Sequence, residues 1–188
     1  MKTELTSLKY HLIPPKLRDR ETATVRAVIE TPRGSRHKFA LDTKLGAFVL
    51  KQTLASGLSW PYDYGFIPQT RGDDGDPLDI LVLMDDGTFT GCVVTVRILG
   101  YIGLVEDGRE NDRFVGCLLP SEERSLSTDG YESIEDIPQK LLDEIQQFLV
   151  EYEREKDHES KVTGCRGVRE AVERIEAGRR AFERDGVD

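Results

Sequence analysis

The apolar residues of this 188-residue chain change their period part-way along, and that change limits the folds open to it. Up to about residue 119 they come in short runs of β type: TVRAVIE (24–30), RHKFALD (36–42), GAFVLK (46–51), DILVLM (79–84), CVVTVRIL (92–99) and DRFVGCLL (112–119). Turn signals separate them, at Pro32-Arg33-Gly34, Asp85-Asp86-Gly87 and Asp107-Gly108. In the last third the spacing becomes helical. Asp136 is suited to cap a helix and Pro138 to its first turn, and Leu141, Ile145, Phe148, Leu149 and Tyr152 fall on one stripe. A second amphipathic helix is expected from about Gly167, with Val168, Val172, Ile175 and Phe182 on one face. Strands first and helices last predict an α+β domain, a small barrel or sandwich with helices packed on its outside. No repeat or low-complexity linker appears, so a single domain is expected over 1–188, entered through an arm (1–20) broken by Pro14-Pro15.

Composition narrows the function classes. With 38% hydrophobic residues the chain can bury a core, and a net charge of −9 argues against a general binder of nucleic acid or anionic membrane. An anionic substrate stays possible, because bound cations reverse a local field. Cys92, Cys117 and Cys165 are far apart and odd in number, which predicts reduced thiols in a cytoplasmic protein, the first two as core filler. The N-terminal MKTELTSLKYHLIPP lacks the apolar stretch of a signal peptide, and no run approaches a membrane span.

The stretch RGDDGDPLDILVL (71–83) stands out. Acidic loops are ordinarily just solvated, and Asp73 and Asp74 fit that reading. Asp79 does not, because it opens a strand whose next residues are all apolar, and a carboxylate at the edge of a core is normally paired or bound to metal. Gly75 lets the chain turn between Asp74 and Asp76, and Pro77 pushes Asp76 to an extended conformation. Three carboxylates can then converge on one point, and such hard oxygen donors suit Mg²⁺ or Mn²⁺. An EF-hand register fails, since a loop counted from Asp74 puts Leu78 and Asp79 where a ligand and a glycine belong.

The segment DGDPLD (74–79) resembles the signature of family I soluble inorganic pyrophosphatases. WPYDYGFIPQT (60–70), VIETPRGSRHKF (28–39) and the strand pair around 97–120 are similar to that family too, so the resemblance spans roughly residues 20–165. It implies an OB-like five-stranded β-barrel flanked by C-terminal α-helices, hydrolysis of pyrophosphate to two phosphates with Mg²⁺ or another divalent cation, and a homo-oligomer. By the same resemblance Asp74 and Asp79 match metal ligands, Asp76 the carboxylate that helps deprotonate the attacking water, and Glu30 a second acidic position near the metals. Lys38 matches a phosphate-binding lysine; Tyr64 and Tyr152 match tyrosines whose hydroxyls contact phosphate. Tyr152 also continues the apolar stripe of its helix, so core packing is an alternative for it.

Several positions depart from the family pattern. Ala40 stands where a glutamate is usual, Gln52 where an arginine grips phosphate, and Trp60 where a tyrosine is found. Glu106 stands for a metal-binding aspartate (Asp107 being a one-residue realignment), and Asn111 for the next one. Arg113 replaces a phosphate-binding lysine, keeping the charge and adding a bidentate fork. Glu153 replaces a lysine and reverses its charge. Alternation puts Asn111 and Arg113 on one strand face and Asp112 on the other. The metal-binding set is thus largely kept and the phosphate clamp thinned, with Arg71, Arg109, Arg154, Lys161 and Arg166 as possible compensation. Three readings follow: a Mg²⁺-dependent inorganic diphosphatase, a relative that binds metal or a phosphorylated ligand with little turnover, and a hydrolase of a larger diphosphate. An OB-fold nucleic-acid binder would need a basic, aromatic-rich strand face, which the sequence lacks.

Overall fold

The computed structural model describes Tyr10 and residues 23–119, 130–156 and 159–185; apart from Tyr10 the arm expected over 1–20 lies outside them. Strands β1 (Thr24–Thr31), β2 (His37–Asp42), β3 (Ala47–Thr53), β4 (Asp63–Ile67), β5 (Leu78–Leu83), β6 (Val93–Glu106), β7 (Arg109–Glu110) and β8 (Arg113–Leu118) precede helix α1 (Gln139–Arg154), strand β9 (Ser160–Arg166) and helix α2 (Val168–Asp185).

Five strands close on themselves. β1 pairs with β4, β4 with β5, β5 with β8 in parallel, β8 with β6, and β6 returns to β1. Closure removes the open edges that a sheet of this size would otherwise present. The long β6 runs past the barrel and carries β7 and β9 on its extension, while β2 and β3 form a separate hairpin. This is the expected α+β barrel with helices outside it.

Strands β4, β5, β6 and β8 carry apolar residues on both faces, and alternation sends them to two different cores, whereas β1 feeds only the inner one. Val25, Ala27, Ile29, Ile67, Ile80, Val82, Val94, Val96, Ile98 and Phe114 come from all five closing strands, fill the lumen, and meet Ala171 and Ile175 of α2. Their neighbours Leu81, Leu83, Leu99, Val115 and Cys117 face outward and pack against Ile145, Phe148, Leu149 and Tyr152 of α1. Cys117 is buried, Cys92 and Cys165 half-buried, and all three thiols are free.

Some local readings are corrected. Asp136 does not cap α1. Its carboxylate accepts the N–H groups of Glu132 and Ser133 at 2.9 and 2.8 Å, closing a short 3₁₀ turn (Ile134–Asp136), and Pro138 takes the N-cap position instead. The inward stripe of α1 uses Leu142 rather than Leu141, and α2 turns Ala171 and Ile175 inward while Val168 and Val172 are only half-buried. β4 and β9 were not anticipated. Among the described residues no helix is long and apolar enough to cross a membrane.

Two contacts fix the acidic loop. The N–H of Arg71 donates to the carbonyl of Gly178 in α2 at 3.0 Å, and a Cβ at Gly178 would stand 2.9 Å from Leu78 Cδ1 and 3.3 Å from the Arg71 carbonyl oxygen, so a side chain there would make Leu78 move and the loop give slightly. Thr70 Oγ1 donates to the Ile67 carbonyl and accepts the Leu78 N–H at 3.0 Å, pinning the loop's two ends together.

Candidate active site

A cavity of about 440 Å³ opens on the outer face of the barrel, bounded by hairpin β2–β3, the acidic loop and the end of α1. Glu30, Asp74, Asp76, Asp79, Glu106 and Asn111 line it, facing Lys38, Lys51, Arg113 and Lys156, with Tyr64 and Tyr152 at its wall. The ten residues given catalytic, substrate or metal roles from the sequence all line this one cavity.

The loop turns as its glycine and proline require. Gly75 has φ +91°, a left-handed value that favours glycine. The Asp74 carboxylate accepts the Asp76 N–H at 3.0 Å, and the Gly72 N–H donates to the Asp76 carbonyl at 2.7 Å. Asp74 and Asp76 are exposed, Asp79 half-buried on β5; Asp73 lines a neighbouring cavity against α2. The three carboxylates share this cavity, but they do not meet at one point: among the described residues no three acidic, histidine or cysteine side chains stand together as a metal cluster.

Arg113 occupies the middle. It is 3% exposed and stands 3.1 Å from Asp79, 3.8 Å from Glu106 and 3.4 Å from Glu153. It also donates to the carbonyl and side-chain oxygens of Asn111. Its carboxylate partners hold the guanidinium charged despite full burial. Asn111 in turn donates its amide to Glu106 at 2.8 Å. An aspartate here could accept from Arg113 but could not donate to Glu106, so the amide suits a position between a cation and a carboxylate. Asp112 points away to Arg174 at 2.9 Å, and Asp107 turns out to the Glu159 N–H, which leaves Glu106 as the carboxylate in the cavity.

Glu30 and Lys38 form the second buried pair, 4.0 Å apart. Glu30 accepts the Leu41 N–H at 2.7 Å, yet burial outweighs that bond and Lys38, and pushes its pKa up to about 7. Lys38 is lowered, chiefly by its own burial, and its ammonium lies 3.6 Å from the centre of the Tyr64 ring. Burial, then the nearby Asp79 carboxylate, raises the Tyr64 hydroxyl well above its usual range, so it stays a proton donor. Tyr152 is raised too, by burial and then Glu153. Trp60 fills the space behind both, its ring centre 4.4 Å from that of Tyr64 and 5.0 Å from that of Tyr152. Tyr152 is thus both a packed residue and a cavity wall, so its two readings coexist.

The expected compensating cations do not line the cavity. Arg71 lines the neighbouring one, Arg154 pairs with Glu151 outside, and Arg166 donates to the Cys165 carbonyl. The additional cations are Lys51 and Lys156. Lys38 pairs with Gln52 but Phe39 with Leu50, so Lys51 is the extra residue of a bulge. Bulges re-aim side chains, and Lys51 enters the cavity beside the Gln52 position. Lys156 lies one turn past Glu153.

Five carboxylates and one amide oxygen around a common space, facing fixed cations, suit hard divalent ions better than soft ones. The raised Glu30 points the same way, since it is a buried carboxylate whose charge its protein partners do not fully compensate. The fold and the site together define a class: an OB-like barrel that carries a carboxylate-rich cavity faced by lysine and arginine on its outer wall. The chain belongs to the inorganic pyrophosphatase family, whose model matches residues 27–183. An inorganic pyrophosphatase of Synechocystis sp. is 41% identical over 143 residues, covering 76% of this chain and 80% of that one. The crystal structure of the Thermus thermophilus inorganic pyrophosphatase superposes with a TM-score of 0.80 at 34% identity, covering 91% of this chain and 97% of the other. That of Neisseria gonorrhoeae superposes at 0.82 with 29% identity, covering 92% and 97%.

Proposed function

We propose that this single-domain protein hydrolyses inorganic pyrophosphate to two phosphates, with Mg²⁺ as the working divalent cation and Mn²⁺ as a possible substitute. Family membership carries the reaction. The observation that supports the residue assignment is the ring of carboxylates facing Lys38, Lys51, Arg113 and Lys156 across one cavity. Asp74, Asp79, Glu106, Glu30 and the amide oxygen of Asn111 would hold the cations, which when bound supply Lewis acidity and a water of lowered pKa. Asp76, exposed at the cavity and backed by the loop's own hydrogen bonds, takes the proton of the attacking water. Lys38 and Arg113 balance the charge that builds on the departing phosphate. The Tyr64 and Tyr152 hydroxyls, both kept protonated, donate to phosphate oxygens.

A cytoplasmic homo-oligomer belongs to the same reading. Leu45, Leu50, Phe89 and Val93 are exposed apolar side chains that a second copy would cover. Light scattering after size exclusion tests the assembly, with a monomer contradicting it. The activity is tested by phosphate release from pyrophosphate with Mg²⁺ and again after chelation. Robust release that stops on chelation is expected. Tight phosphate binding without release would leave a binding protein.

A further inference from the structure

Lys156 lies just beyond α1, and its N–H donates to the Glu153 carbonyl at 3.0 Å. Its ammonium pairs with the Glu153 carboxylate, lies 3.5 Å from Glu106 and sits 4.8 Å from the centre of the Tyr152 ring. The side chain is 27% exposed and lines the cavity.

We propose that Lys156 grips an oxygen of the bound phosphate at the α1 side of the cavity, and that Glu153 is the positioning residue that aims it. This rests on the cavity being the diphosphate site. The two other paired cations have little freedom. Arg113 is 3% exposed and shared among Asp79, Glu106 and Glu153, so moving it would strand the buried Glu153 and two half-buried carboxylates. Lys38 is buried between Glu30 and the Tyr64 ring. Lys156 has a flexible stem, three donors and open space in front of it. Its carboxylate partners also differ. Glu153 is 0% exposed and keeps its hold, whereas Glu106 faces the cavity as a candidate cation ligand. Once Glu106 has another cation to serve, one face of the ammonium is released for an anion. The reversed charge at 153 then makes sense: it anchors a lysine one turn on, where the cation has reach.

Inorganic phosphate is titrated calorimetrically into wild type, Lys156→Gln and Lys156→Arg in Mg²⁺, and kcat and KM for pyrophosphate are measured on the same proteins. Lys156→Gln should weaken phosphate binding and raise KM by about tenfold or more, the size of a lost charged hydrogen bond, and Lys156→Arg should recover most of it. Glu153→Gln should raise KM while largely sparing kcat. In the wild type, the Lys156 ammonium resonance, assigned by its absence in Lys156→Arg, should shift when phosphate is added, a readout that does not need Lys156→Gln to fold. Phosphate affinity within twofold of wild type in Lys156→Gln, or an unshifted ammonium signal, overturns the proposal. A wild type that binds phosphate but releases none from pyrophosphate overturns the hydrolase reading instead, and the binding comparison still decides Lys156.

Discussion

Neighbouring residues on the same strands live in opposite worlds. Ile29, Ile80 and Phe114 fill the barrel lumen, fully buried and wholly apolar. Glu30, Asp79 and Arg113, each adjacent in sequence to one of them, face the cavity on the outer wall. The lumen needs no polar partner and fixes the backbone by close packing. The cavity face sets its charges against one another, Arg113 against Asp79 and Glu106, and Lys38 in part against Glu30. The stiff side thus holds the chemical side in place, one residue out of register.

Separating the two sides should separate stability from rate. Asp76→Asn should lower turnover by about 10²–10⁴-fold, because the amide cannot take a proton, with the melting temperature unchanged. A wild-type rate across pH would put the base elsewhere. Phe114→Ala should do the reverse, costing about 3–5 kcal/mol of unfolding free energy through the void it leaves in the lumen. The folded fraction should keep near-wild-type KM, and denaturant unfolding with kinetics on the same sample checks both.

Glu30 sharpens the contrast through pH. Its pKa is about 7 when folded against 4.5 for the free side chain, so the folded state holds a proton that the unfolded state releases between those values. The stability it contributes is present at low pH and lost as pH rises through that window. In chelator, Glu30→Gln should match wild type near pH 4 and exceed it by about 2–3 kcal/mol above pH 8, from urea melts. An equal gap at both pH values would contradict the buried-carboxylate reading.

The two sides also differed in how far the sequence disclosed them. The barrel was legible in its β-type runs, and the acidic loop because its carboxylates, glycine and proline are contiguous. β9 (SKVTGCR) was hidden because it is an edge strand with no apolar run. β4 lay inside a stretch noticed for its resemblance, and its Asp63 shows that burial alone does not mark a site. That carboxylate is 0% exposed yet serves only structure, accepting from the Arg33 N–H at 2.8 Å and from Thr88. Lys51 was missed because a bulge changes which residue of β3 faces the cavity, and alternation cannot foresee a bulge. Lys156 was missed because Glu153 held the matched position. The web around Arg113 joins β5, β6, β8 and α1, and only the closed fold brings them together.

The most direct measurement is Mg²⁺ titrated calorimetrically into wild type and Asp79→Ala without substrate, with circular dichroism on both. Asp79 sits on barrel strand β5, faces the cavity and stands 3.1 Å from Arg113. The variant should fold with an unchanged spectrum, bind Mg²⁺ at least about tenfold more weakly, as expected for a lost charged ligand, and release no phosphate from pyrophosphate. A folded variant with wild-type Mg²⁺ affinity would show that the outer-face carboxylates are not the cation site.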